Sequence, residues 1–136
     1  MGSKNRIFLG VLTKFILHFH RNIFQKNIYM SKRIQDKINI KHPNIKEFTE
    51  FDNFQILLQN TIGSCPYEKY NNVINFVAYI EEYDNYIMYS LKSEKHNIIC
   101  NTIFSLRPDT LKKYYNNLNF KLFKSNYKKT LERYIN

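Results

Sequence analysis

The sequence predicts an α+β domain in which a helix, a three-stranded antiparallel sheet and a second helix follow one another, with both helices on one sheet face and a basic N-terminal extension ahead of them. Three observations carry that expectation. Phe51, Phe54, Leu58 and Ile62 recur at the spacing of a helix that buries one side. The stretch from Val73 to Ile103 is rich in β-favouring residues and is broken by two short polar turns. Beyond Pro108-Asp109, helical spacing returns at Leu111, Tyr114 or Tyr115, Leu118 and Leu122.

Taken in order, residues 34–47 alternate Lys, Asn and Ile around His42-Pro43 and read as a loop. The first helix then starts near Phe48, where Thr49 and Asp52 have the spacing of a capping box, and Gly63 and Pro66 read as its stop. Val73 to Ile80 forms a nearly continuous apolar run, Tyr86 to Leu91 a second and Asn97 to Ile103 a third, joined by turns at residues 81–85 and 92–96. Short polar turns imply an antiparallel meander. Proline in the first turn of the last helix costs nothing, because its missing amide had no partner there. These boundaries give a basic extension over 1–45, read as a presequence or a disordered segment. An α-β-β-β-α domain over 46–125 and a basic tail over 126–136 follow. With 136 residues there is enough chain for one modest core.

Net charge is +10, and its distribution is uneven. Residues 1–35 carry seven basic side chains and no acid, residues 36–120 are nearly neutral, and residues 121–136 carry five basic side chains against Glu132. A polyanion is therefore favoured as a partner of the ends. Ile7 to Phe19 is apolar but interrupted by Lys14 and His18, too short and too charged for a membrane span and similar in composition to a mitochondrial presequence. Cys65 and Cys100 form no Cys-x-x-Cys pair, which suggests a reducing compartment. His18 and His20 alternate like metal ligands, yet no third ligand stands near them in sequence. Glu81, Glu82 and Asp84 lack the glycine and the following glutamate of a calcium loop and read as solubilising turn residues. Without a phosphate-binding glycine loop or a nucleophile elbow, the chain reads as a non-enzyme with no metal, cofactor or small-molecule substrate.

Several residues in this order resemble the nine-kilodalton subunit family of the signal recognition particle, the smaller protein of the Alu-domain pair. Phe51-Asp52-Asn53-Phe54 is similar to the family's helix start, and Cys65-Pro66 to its end. Lys69 follows the proline at the family's distance, Tyr79 resembles its strand-ending tyrosine, and Cys100 with Leu111-Lys112-Lys113 is similar in type and spacing. The basic residues that the family carries on its first strand are replaced here by Asn71, Asn72, Ala78 and Ile80. The resemblance, over about residues 48–123, implies a cytoplasmic RNA-binding subunit that pairs with the larger Alu subunit as a heterodimer on the particle's RNA. Such a protein acts on the ribosome indirectly, by supporting elongation delay. Its phosphate contacts would fall on Lys69, Lys92 and Lys95 in or beside turns, on Lys112 and Lys113, and on Lys121, Lys124, Lys128 and Lys129. Lys121, Lys124 and Lys128 recur near helical spacing, so an extended second helix would present them as a stripe, with Tyr127 and Tyr134 available for stacking. The acid-free start supports a second reading: a small mitochondrial protein with a cleaved presequence, such as a ribosomal or respiratory-complex accessory subunit.

Overall fold

The structure, a computed structural model, describes residues 6–19, 27–67, 72–117 and 119–136. In chain order it contains β1 (Arg6–Val11), α1 (Lys14–Phe19), β2 (Asn27–Ser31), α2 (Lys32–Lys41), a 3-10 turn (Pro43–Thr49) and α3 (Phe51–Gln59). It continues through β3 (Thr61–Pro66), β4 (Val73–Ile80), β5 (Asn85–Ser93), β6 (Ile98–Ser105), α4 (Pro108–Tyr115), β7 (Lys121–Leu122) and α5 (Lys128–Ile135). The strands form one seven-stranded sheet in the order β1-β2-β6-β5-β4-β3-β7. Neighbouring strands run antiparallel except β2 and β6, which pair in parallel through Ile28 with Ile98 and Tyr29 with Ile99.

The expected fold class is thereby corrected. The meander β4-β5-β6 is present, with Phe76 opposite Tyr89 and Met88 opposite Phe104, but strands are added on both of its sides. Nor do the helices share a face. Phe54, Leu57 and Leu58 of α3 pack on Phe76, Ala78, Ile87 and Tyr89, whereas Leu111 of α4 packs on the opposite face with Val77, Tyr79, Tyr86 and Met88. Because side chains alternate across a strand, fully buried strands such as β4 and β5 need a helical cover on each side.

In place of a basic N-terminal extension outside the sheet, residues 6–11 and 27–31 supply two of its strands. The apolar positions among the cations are core: Leu9, Ile16, Ile28 and Met30 are fully buried, and Arg6 donates to Glu94 at 3.1 Å. The stretch read as a loop before Phe48 is α2 and the 3-10 turn. Ser31 caps α2 by accepting from the Ile34 amide at 3.1 Å, Lys32 pairs with Asp36 one turn on at 3.2 Å, and Ile38 is buried.

Around α3 the expected punctuation also differs. The N-cap is Glu50, whose side chain makes no cap bond, and the Thr49 hydroxyl donates to the Lys46 carbonyl at 2.6 Å, so no capping box forms. The helix stops at Asn60, and Ile62, Gly63 and Pro66 all lie in β3. Phe51 is 46% exposed because the inward stripe runs through Phe54, Leu57 and Leu58. Likewise α4 ends at Tyr115, Leu122 belongs to β7, and Leu118 lies outside the described residues. The segment expected as a C-terminal tail forms α5, which buries Leu131 and Ile135 beside α4.

The sheet curls around α3, so that its two ends approach one another. Phe15, in the helix after β1, meets Phe123, just past β7, edge to face with ring centroids 5.9 Å apart. Inside the curl the Tyr89 hydroxyl lies 2.6 Å from Thr61 Oγ1, and the Thr61 hydroxyl donates to the Leu57 carbonyl at 2.7 Å, which leaves Tyr89 as the donor to Thr61. A buried phenol thus has a hydrogen-bond partner inside the core.

Candidate nucleic-acid interface

Strand register builds a polar row across the middle of the sheet. Cys65 lies opposite Asn75, Asn75 opposite Ser90, and Ser90 opposite Thr102. Alternation puts Asn75 and Ser90 on the face of Val77, Tyr79, Tyr86 and Met88, the face that α4 and α5 cover. Asn75 and Ser90 are 4% and 6% exposed and bond to each other, Ser90 Oγ donating to Asn75 Oδ1.

Where α4 ends over this row, a cleft of about 510 Å³ opens between the helix and the β3-β4 pair. Cys65, Tyr67 and Asn75 line it from the sheet side, and Thr110, Lys113 and Tyr114 from α4. One turn of helix separates Thr110 from Lys113 and Tyr114, which puts these three side chains along one flank. Burial pushes the Tyr114 phenol above its ordinary pKa, and Cys65 and Tyr67 add to that shift. With Asn117 just past α4, the lining joins two amides, a hydroxyl, two phenols, a thiol and an ammonium group. Such a set binds by hydrogen bonding, stacking and charge.

A second hollow, of about 370 Å³, lies at the other end of the same face and is lined by Tyr79, Asp84, Thr130, Arg133 and Tyr134. Asp84 closes the β4-β5 turn in the left-handed conformation (φ 47°), and its carboxylate accepts from the Tyr79 hydroxyl at 2.6 Å. That hydrogen bond, reinforced by burial and the carboxylate's charge, pushes the Tyr79 phenol up to about 12. Tyr86, fully buried between the rings of Tyr79 and Tyr134 at 4.6 Å each, has the one enclosed side-chain polar atom without a hydrogen-bond partner among the described residues.

The lysines expected to bind phosphate do not converge on one point. Lys113 lines the cleft, and Lys112 is exposed beside it on α4. Lys92 is opposite Val73, two residues from Ser90 on the same face of β5, so it stands one pleat from the polar row. Lys95 is exposed in the β5-β6 turn. Lys121, Lys124 and Lys128 do not form the expected helical stripe, because Lys121 lies in β7 and a 3-10 turn at Ser125–Tyr127 precedes Lys128. Lys121 sits in β7 opposite Ser64, whereas Lys128 and Lys129 open α5 and are exposed. Lys124 is turned to the body of the protein, its Nζ donating to the Gln59 carbonyl at 3.4 Å and lying 5.5 Å and 5.9 Å from the centroids of Phe15 and Tyr127. Lys69 and His20 lie outside the described residues.

Asn75, Ser90, Tyr67 and Thr110 were not singled out by the sequence, and Tyr114 only as a position of the last helix's stripe. A signal exists in hindsight: Asn75 and Ser90 are polar residues inside apolar runs, but only the register shows that they face one another. Among the described residues no three His, Cys, Asp or Glu side chains gather as a metal site, and no helix is long and apolar enough to cross a membrane. No family model matches this chain, and no curated protein and no solved structure matches it either.

Proposed function

We propose that the chain binds single-stranded RNA along the layer formed by α4 and α5. The observation that carries this reading is a set of exposed cations, Lys112 and Lys113 on α4 and Lys128 and Lys129 on α5, none of which forms an ion pair among the described residues. Lys113 lines a cleft that offers aromatic side chains, Lys112 stands beside it, and Lys128 and Lys129 carry the cationic surface onto α5. Backbone-tracking cations with stacking platforms are what a sequence-tolerant single-strand binder needs. Of the narrower reading, pairing with the larger Alu subunit, the meander β4-β5-β6 is the part that speaks for it. Both faces of the sheet carry this chain's own helices, in place of the two helices on one face that would leave the other open to a partner. The RNA surface therefore stands as the proposal without the pairing.

Salt dependence tests it. Each phosphate contact to a single strand contributes about 0.7 to the slope of log affinity against log salt. Changing Lys112, Lys113, Lys128 and Lys129 together to Ala should weaken binding of a fluorescent oligoribonucleotide and flatten its slope by roughly 2 to 3. Glu81→Gln with Glu82→Gln should do neither. An unchanged slope in the quadruple variant would overturn the reading.

A further inference from the structure

Asn75 is nearly enclosed yet half used. Its one hydrogen bond among the described residues joins it to Ser90, so whichever way the amide is turned, the other polar end is unpartnered, and Asn75 lines the cleft. A carboxamide carries two donors and two acceptor sites, and the end that Ser90 leaves unpaired is not sealed in, because among the described residues only Tyr86 has an enclosed side-chain polar atom without a partner. That end therefore opens to the cleft. A planar ligand edge that offers a donor beside an acceptor would bond that end together with the second site of the end already joined to Ser90.

The surroundings narrow the ligand class. Tyr67, 39% exposed just after β3, and Tyr114 of α4 supply aromatic faces, and Lys113 supplies a positive charge one residue from Tyr114. The cleft's volume, about 510 Å³, is within the range of small-molecule sites. An edge with paired hydrogen-bonding groups, a flat π-face and an attached anion together describe a nucleotide. We propose that the cleft between β3-β4 and α4 receives one nucleobase, its edge on the Asn75 amide, its face against Tyr67, and its phosphate toward Lys113. This site deepens the RNA reading by naming what enters the cleft, and it rests on that reading for the strand to which the base belongs. A free nucleotide presents the same chemistry.

The test uses the full chain and needs no core substitution. Uridine and adenosine 5′-monophosphate, ribose 5-phosphate and a short oligouridylate are each titrated while the Asn75 side-chain amide is followed by NMR. At least one nucleotide should shift that amide and bind about tenfold or more tightly than ribose 5-phosphate, because only the nucleotide brings a base to stack. Tyr67→Ala should remove most of that difference while leaving ribose 5-phosphate unaffected. If nucleotides and ribose 5-phosphate bind alike, or the Asn75 amide stays still with every ligand, the base site is overturned even where the oligonucleotide still binds through its lysines. If mononucleotides shift Asn75 but the oligonucleotide does not bind, the site stands for free nucleotides and the RNA reading falls.

Discussion

Phe54 lies fully buried with its ring edge-on to Tyr89 at 5.4 Å, so Phe54→Ala empties an aromatic site inside the curl of the sheet. Destabilisation of about 3 to 5 kcal/mol is expected, read as a shift in the denaturant midpoint. An unshifted midpoint would place the ring outside the core. Asp84 tests a polar contact. Asp84→Asn tolerates the left-handed turn and keeps an acceptor but removes the charge, so the Tyr79 phenol should titrate below the value of about 12 that the carboxylate now holds. Ultraviolet titration of the tyrosines would show whether it does. At this scale the sequence was partly legible. Periodicity identified Phe54, because a helix buries what it repeats. It could not identify Asn75 or Ser90, whose partnership depends on which residue of β5 lies opposite which residue of β4.

Among the elements, those whose boundaries are set by their own residues were the legible ones: β4, β5 and β6, and the proline-led start of α4. The helix α2 was missed for a physical reason. Its first turn has no acid, its outer face carries Lys32, Arg33, Lys37 and Ile40, and its inward stripe is little more than Ile34 and Ile38. Such a helix is held by its Ser31 cap and by the sheet beneath it more than by its own periodicity. Gly63 misled in a different way. It reads as a helix stop, but it sits in β3 because β7 comes too close for a side chain: a Cβ there would lie 2.8 Å from the Lys121 carbonyl oxygen and 2.8 Å from the Phe120 ring. Gly63→Ala should therefore push β7 from the sheet edge at a cost of about 1 to 3 kcal/mol. Faster amide exchange in β7, with the β4-β5 pairing still protected, is the expected signature.

At the scale of the whole molecule, the core runs across segments that composition alone separated. A chain starting at Met30 lacks β1, α1 and most of β2, loses Leu9, Ile16 and Ile28 from the core, and bares the edge of β6. It should be insoluble or aggregate through that edge; a well-folded monomer would show that the sheet does not need its N-terminal strands. Alkali should also unfold the protein in a defined window. Burial holds the Cys100 thiol up at about 12 against an ordinary 9.0, and Tyr79 at about 12 against 10.0. The folded state keeps these protons longer, so their contribution to stability is complete below pH about 9 and is lost as pH rises toward 12. Cys100→Ala should remove the part of that loss that begins near pH 9. The single parallel pairing also sets a clock for synthesis. Ile28 must wait for Ile98, 70 positions later, before β2 has its inner neighbour. At about 5 to 20 residues per second, roughly 4 to 14 seconds pass on the ribosome with β1 and β2 as a two-stranded pair that is marginal alone. In that interval the nascent chain offers an apolar strand edge to any chaperone at the tunnel exit, and stalled chains ending before β6 should be cleaved by protease far faster than chains stalled after β7.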